Sequence, residues 1–429
     1  MESLLQKNSV LYSQNGISYR VNKLLGSGGQ GEVYEVTDGN KNYALKWYYE
    51  HTATPLQKKI LLDLLDKGKP SKDFLFPEDF IETDDGKFFG YVMQLRPKEF
   101  KGIIDLMKGK VQPSFQNLIR ACFNLTKGYQ LLHSQGYQYR DISFGNVFFN
   151  PDNGKVLICD NDNVVPNGIQ ESGILGTPSF MAPEIVRGEA KPSRNTDKFS
   201  LSILLFYMLM IQHPLEGALE AKIHCMDLAA RNKLYGTNPV FIYDPQNKSN
   251  RPVQGIHDNV IIYWEKIYPQ YLKDLFIKAF TVGLHEPARR VTENEWLDCF
   301  SNMLAGIVTC QKCGEENFYD PEHEIHCWNC DSVVRIPAKL VVDKKKILIT
   351  QNTKIFSHYL FDDHDMEKIV AEVVRNPKNP KIWGLKNKTA QNWTYIKQDG
   401  SQIVVSPEKS ATISRDVKIN FGKSVGFFE

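Results

Sequence analysis

The sequence predicts an α+β chain built in successive parts, and three observations carry that expectation. From residue 17 to about 50, short runs rich in Val, Tyr and Leu alternate with Gly, Asp and Asn. Residues 114–303 hold the long segments of helical periodicity, and four cysteines between 310 and 330 then precede short β-branched runs that continue to residue 429. At roughly 100–200 residues per domain, this length fits two to four domains and excludes a single small module.

The elements follow in order. Tyr19–Gly26 (YRVNKLLG), Glu32–Gly39 (EVYEVTDG) and Asn42–Tyr49 (NYALKWYY) read as antiparallel strands joined by tight turns. Leu56–Gly68 (LQKKILLDLLDKG) spaces its apolar residues for a helix and closes on glycine. A further strand signal, Phe88–Leu95, ends a strand-rich part near Pro97. Ser114–Gly136, Leu201–Ile211 and Tyr271–Gly283 are helical. The last part, 338–429, returns to short strands such as KILIT, IVAEVV, SQIVVS and DVKINFG, the pattern of an all-β sandwich.

Composition narrows the class. Lys plus Arg total 52 and Asp plus Glu 50, a net charge of +2 with no basic tail, so neither a nucleic acid nor an anionic membrane is expected as a partner. Hydrophobic residues at 42% and charged residues at 24% exclude a wholly disordered or collagenous chain. The start MESLLQKNSV lacks a basic region, apolar run and cleavage site, which predicts a cytoplasmic protein. The longest nearly apolar run, Leu201–Ile211, is well short of the ~20 residues a membrane helix needs.

Gly26-Ser27-Gly28-Gly29-Gln30-Gly31-Glu32-Val33 places four glycines at the junction of two predicted strands, where the backbone can approach phosphate oxygens without Cβ clashes. A plain glycine-rich hairpin has the same pattern, whereas a dinucleotide-binding turn requires a helix next and EVYEV is a strand. The pattern does not stand alone. Tyr43-Ala44-Leu45-Lys46 follows one strand later, where a buried lysine needs an anionic partner. Then come Tyr139-Arg140-Asp141-Ile142-Ser143-Phe144-Gly145-Asn146, the apolar Val156–Cys159 with Asp160, Gly176-Thr177-Pro178, Ala182-Pro183-Glu184, Asp197 and Pro287-Ala288-Arg289-Arg290.

In that fixed order, residues 18–303 resemble the eukaryotic-type protein kinase family. The resemblance implies a two-lobed fold, with an N-lobe over about 18–97 and a C-lobe over about 98–303. It implies an ATP-dependent Ser/Thr kinase that passes the γ-phosphoryl group of Mg-ATP to protein hydroxyls, its own included. By resemblance, Gly26, Ser27, Gly28, Gly29, Gln30 and Gly31 cover the phosphates, Lys46 contacts their oxygens, and Val33, Ala44, Met93, Gln94 and Leu95 surround adenine. Asp160 and Asn146 hold Mg2+, and Asp141 accepts the proton of the substrate hydroxyl. Thr177 matches the threonine of Ser/Thr-specific members. Arg140 matches the sensor of a phosphate on the following loop, where Ser172 and Ser179 are candidate acceptors. Glu184 with Arg290, and Asp197, match architectural positions.

The chain departs from the family in four places. No glutamate on Leu56–Gly68 is available to pair with Lys46, so Asp63 or Asp66 is expected to serve. Asp160-Asn161-Asp162 replaces Asp-Phe-Gly, Ser143 replaces the catalytic-loop lysine, and Tyr139 replaces the usual histidine. A pseudokinase scaffold that binds nucleotide and partners without transferring phosphate is therefore the alternative reading.

Cys310-x-x-Cys313 and Cys327-x-x-Cys330 have the spacing of a structural zinc knuckle over 304–336. Two disulfides and a rubredoxin-like iron site are the alternatives, and His323 and His326 lie in the intervening loop. Residues 338–429 carry Leu385–Thr394, Asp399-Gly400 and Val417–Gly422, which resemble the second half of a forkhead-associated (FHA) sandwich. An unspecialised β-sandwich is the alternative. Thr353-Lys354 and Glu367 stand near the peptide-binding positions, and a carboxylate there would repel phosphate. The loop, metal motif and knuckle together are similar to kinases of bacterial tellurite-resistance-type triads, which implies a metal-dependent phosphatase and a von Willebrand A-type protein as partners beside the protein substrates.

Overall fold

The computed structural model describes residues 3–168, 173, 175–351, 353–415 and 417–429. Ser172 lies outside the described residues. Contacts divide the chain into two units, Met1–Ile261 with Leu275–Asn294, and Ile262–Asp274 with Glu295–Glu429.

In the first unit, alternating apolar residues and short turns build one six-stranded antiparallel sheet. Its strands are β1 (Val10–Tyr12), β2 (Ser18–Ser27), β3 (Gly31–Thr37), β4 (Asn42–Tyr48), β5 (Asp79–Glu82) and β6 (Phe89–Gln94), in the order β1-β2-β3-β4-β6-β5. The β3–β4 turn closes because the Asp38 carboxylate accepts from the Asn40 and Lys41 amides at 2.8 and 2.7 Å while Gly39 takes φ 94°. One sheet face buries Tyr19, Val21, Tyr34, Val36, Leu45, Trp47, Ile81 and Val92. The other packs Ala44, Tyr48, Phe80, Phe89, Tyr91 and Met93 against Leu61 of helix α1 (Pro55–Lys67). That helix starts on Thr54, whose side chain accepts from the Gln57 amide, with Pro55 in its first turn. It stops at Gly68, at φ 75°.

Downstream, the helix Phe115–Ser134 is capped by Ser114, and the helix Arg194–Met210 by a reciprocal Ser193–Thr196 box. Every residue from Phe199 to Met210 is buried. A helix apolar on all sides belongs inside a protein, and no described helix is long and apolar enough to cross a membrane. Strands Val147–Phe149 and Val156–Ile158 pair antiparallel and deliver the chain to residue 160. Glu184 and Arg290 form a buried two-pronged pair at 2.8 and 2.7 Å.

The second unit holds the hairpin of Ile307–Thr309 with Glu316–Phe318 and two antiparallel sheets, one of six strands and one of four. Leu340, Trp393, Ile419 and Phe428 of the first and Ile355, Val373, Leu385 and Ala411 of the second are buried. The part expected to be all β also carries one short helix, Ser357–Phe361. The Ser357 amide donates to the Lys368 carbonyl at 2.9 Å and the Asp362 amide to the His358 carbonyl at 3.0 Å, and His358, Tyr359 and Leu360 are buried.

Candidate active site

The hairpin loop between β2 and β3 closes on itself through the Gly28 amide, which donates to the Gly31 carbonyl at 2.9 Å. Its glycines serve two purposes. A Cβ on Gly26, Gly28 or Gly29 would meet nothing within 4 Å, so this part of the loop faces open space. A Cβ on Gly31 would sit 2.1 Å from the Trp47 carbonyl oxygen, so that glycine is required by the close approach of β4. Beneath the loop lies a cleft of about 460 Å³, lined by residues 26–31, Val33, Lys46, Asp141, Asp160 and Asn163. That volume suits a small-molecule site.

Lys46 enters the cleft from β4 and is almost fully buried. Its ammonium donates to both Asp162 carboxylate oxygens at 3.1 and 2.8 Å and to Gln30 Oε1 at 2.9 Å, and it lies 3.6 Å from Asp160 Oδ1. Burial opposes the charge, but Asp162 and Asp160 outweigh it and hold the ammonium above its usual range. The expected partners Asp63 and Asp66 are both exposed on α1 and do not reach Lys46. Helical spacing turns Gln57, Ile60, Leu61 and Leu64 inward instead. The counter-charge comes from the third residue of the Asp160-Asn161-Asp162 motif.

Asp162 is completely buried and also accepts from the Tyr48 and Tyr91 hydroxyls, the latter at 3.3 Å. Burial, reinforced by the Asp162 charge, holds both phenols well above their usual range, so they stay protonated donors. Asn161, where the family has an aromatic ring, donates to the Leu75 and Ile158 carbonyls at 2.9 Å each. Asp160 itself takes the left-handed conformation at φ 52° and leaves 39% of its side chain exposed to the cleft. Burial raises its carboxyl above the ordinary range, against the pull of Lys46.

The Asp141 carboxylate accepts from the Thr177 hydroxyl at 2.7 Å and from the Asn146 amide nitrogen at 3.2 Å, and that nitrogen also donates to the Asp141 carbonyl at 2.9 Å. Arg140, at φ 75°, is held by its backbone amide on Asp197 Oδ1 at 2.9 Å, and the Tyr139 amide bonds Oδ2 at 2.6 Å. The Tyr139 hydroxyl donates to the Cys159 carbonyl, a bond that links the loop to the metal motif. Arg140 Nε donates to the Asn163 carbonyl at 2.7 Å, while its two terminal nitrogens are buried without a hydrogen-bond partner among the described residues.

Asp197 also meets His133 Nε2 at 3.1 Å, and His133 Nδ1 meets Glu293 at 2.6 Å. Burial disfavours the imidazolium, but the hydrogen bonds and charges of Asp197 and Glu293 prevail and lift its pKa to about 9. A folded pKa above the ordinary ~6.5 stabilises the fold fully below that pH, and the contribution is lost as pH rises through about 9. The melting temperature should therefore fall between pH 6.5 and 9, and His133→Gln should flatten that slope in a thermal scan.

Val33, Ala44, Met93, Leu95, Phe148 and Leu157 belong to one apolar cluster beside the cleft, and Ala44 pairs with Met93 across β4 and β6. Gln94 is half-buried at the end of β6. The structure thus brings together Lys46, Asp141, Asn146 and Asp160 with the glycine loop. Residues that sequence reasoning passed over are Asp162, Asn163, Gln57, Tyr48 and Tyr91, and the one available signal was the second acid of the motif.

In the second unit, the four cysteine sulfurs all lie within 4.8 Å of one another. Cys310 and Cys330 Sγ are 3.7 Å apart, and Cys313 and Cys327 Sγ 3.5 Å. Tetrahedral metal–sulfur arms of ~2.3 Å separate sulfurs by about 3.8 Å, so the set fits one ion. A disulfide needs ~2.05 Å. His323 and His326 are exposed and stand outside this group.

A strand-rich and a helix-rich part enclosing a glycine-roofed cleft with a lysine and two aspartates define a phosphotransferase-type site. The protein kinase domain family model matches residues 19–298, and the chain belongs to that family. It is 31% identical over 217 residues to the protein kinase C delta type of Mus musculus, covering 47% of this chain and 30% of that one. It is 38% identical over 106 residues to the human protein of the same type, covering 23% and 15%. A dual serine/threonine and tyrosine protein kinase of Tetraodon nigroviridis is 32% identical over 136 residues, covering 32% and 14%. The chain spans under a third of the length of these relatives.

Proposed function

We propose that the chain is an ATP-dependent Ser/Thr protein kinase. The observation that carries this reading is the convergence of Lys46, Asp141, Asn146 and Asp160 on the one cleft under the glycine loop. Residues 26–31 cover the phosphates, Lys46 neutralises their oxygens, and the apolar cluster of Val33, Ala44, Met93 and Leu95, with Gln94, receives adenine. Asp160 has an exposed carboxylate, and the Asn146 amide spends its nitrogen on Asp141, which leaves a hard oxygen from each for Mg2+. Mg2+ held there supplies charge neutralisation for the phosphates. Asp141, oriented by Thr177 and Asn146, accepts the proton of the substrate hydroxyl. The Thr177 bond supports Ser/Thr over Tyr.

One observation favours a nucleotide-binding scaffold instead: buried Ser143 offers no positive charge beside Asp141. Incubating the full chain with Mg2+ and γ-labelled ATP separates the readings. Labelling of the chain or a generic substrate is expected, with Asp160→Ala lowering it on the order of a thousandfold. No labelling, with the variant equal to the parent, rejects the kinase.

The bare Arg140 nitrogens suit a phosphate placed on the loop after Asp160, at Ser172 or Ser179. The four cysteines suit structural Zn2+, with a knuckle over 304–336. We read 338–429 as an FHA-like module that contacts protein partners, exposed Glu367 disfavouring phosphothreonine. Cytoplasmic location and, by resemblance, a cognate phosphatase and a von Willebrand A-type partner complete the reading.

A further inference from the structure

We propose that Asp162 is the positioning residue for Lys46, so that the lysine is set by a side chain of the metal motif and not by helix α1. The proposal deepens the kinase reading and rests on it. In this chain the inward face of α1 carries Gln57, Ile60, Leu61 and Leu64, none of them acidic. The helix approaches the ion pair through one neutral group: Gln57 Nε2 donates to the Tyr48 hydroxyl at 3.3 Å and to the Asp162 carbonyl at 3.2 Å. Among the described residues, the ion pairs of Lys46 lie in the motif itself, with Asp162 at 2.8 Å and Asp160 at 3.6 Å.

Asp162 is fixed on all sides. Asn161 before it is tied to Leu75 and Ile158, and Asn163 after it accepts from Arg140. Tyr48 and Tyr91 donate to its carboxylate from two neighbouring strands. A buried ammonium stripped of this partner would retain its desolvation penalty with little to offset it. A one-ångström shift of the group that meets the phosphates costs catalysis heavily. Asp162 is fully buried and does not line the cleft; it acts through Lys46.

The experiment compares the parent chain, Asp162→Asn, Asp162→Asn with Gln57→Glu, and Asp63→Asn with Asp66→Asn. The readouts are the Kd for a fluorescent ATP analogue with Mg2+, kcat and KM for ATP, and the rate of Lys46 acetylation measured by mass spectrometry. Asp162→Asn should weaken nucleotide binding about tenfold and lower kcat/KM on the order of a hundredfold. Its Lys46 should acetylate several-fold faster, since an ammonium released from its two bonds to Asp162 is free to meet the reagent. Returning a carboxylate to the helix through Gln57→Glu should recover about tenfold of kcat/KM, which no merely structural role predicts. The Asp63/Asp66 variant should stay within about twofold of the parent, because both carboxylates are remote from the lysine.

Asp162→Asn within threefold of the parent in all three readouts would overturn the proposal, as would tighter nucleotide binding, which would make Asp162 a lock on the lysine. So would a Gln57→Glu variant that recovers nothing, or loss of activity on changing Asp63 and Asp66. If Asp162→Asn does not fold, Tyr48→Phe with Tyr91→Phe removes two donors and keeps the charge. That pair should raise KM several-fold, and an unchanged KM then overturns the proposal. Should the parent transfer no phosphate, the kinase reading fails, while acetylation of Lys46 still decides the role of Asp162.

Discussion

Replacing Cys313 with serine should empty the four-cysteine site and unfold the segment around it. The segment's own core is small. Its buried cluster consists of Val308, Cys310, Cys327, Val334 and Leu348, two of which are the thiols themselves. A structural zinc of this kind contributes on the order of 10–16 kcal/mol to folding, far more than a few aliphatic side chains can replace. Serine is nearly the same size as cysteine but a poor ligand, so the loss reports on the metal and not on packing. Metal content by mass spectrometry should drop from about one equivalent to near zero, and proteolysis should begin between 311 and 335. A variant that keeps its protease resistance with no bound metal would remove the ion from the account.

Glu184→Ala should destabilise the first unit by about 3–5 kcal/mol, because it leaves the Arg290 guanidinium buried without its anion. Arg290 cannot turn to water. Its Nη1 also donates to the Asn195 carbonyl at 2.9 Å, its Nε to the Gly283 carbonyl at 3.0 Å, and the group lies over the Phe199 ring. A neutral Arg290→Met in the same chain should restore much of the loss, since removing both charges spares the desolvation of either. Denaturant midpoints of the single and double variants check this. Equal destabilisation in both would mean that shape, and not charge, governs the site.

Much of the site was legible because the protein kinase family carries fixed residue types at fixed spacing. Gly26 to Gly31, Lys46, Asp141 and Asp160 line one cleft with Asn146 bonded to Asp141, and the sulfurs of Cys310, Cys313, Cys327 and Cys330 lie within 4.8 Å of one another. The partner of Lys46 was not legible. Pairing by analogy pointed to an acid on α1, and only the three-dimensional placement shows that Asp63 and Asp66 face solvent while Asp162, 116 residues from Lys46, reaches it. The short helix Ser357–Phe361 escaped for a different reason. Five residues carry too little periodicity to distinguish a helical turn from a strand. The purpose of Gly31 was also hidden, since its neighbour Trp47 approaches through the sheet register and not along the chain.

The site of the lysine's counter-charge has a consequence for ligand design. A compound that wedges helix α1 outward would separate only the neutral Gln57 amide from the ion pair and leave Lys46 armed. A compound that forces the 160–162 segment to flip would have to pull Asp162 out of five hydrogen bonds and strand four buried partners at once, Lys46, Tyr48, Gln57 and Tyr91. Inhibitors of this protein are therefore best built for the cleft as it stands, with an anionic group aimed at Lys46 beneath the glycine loop.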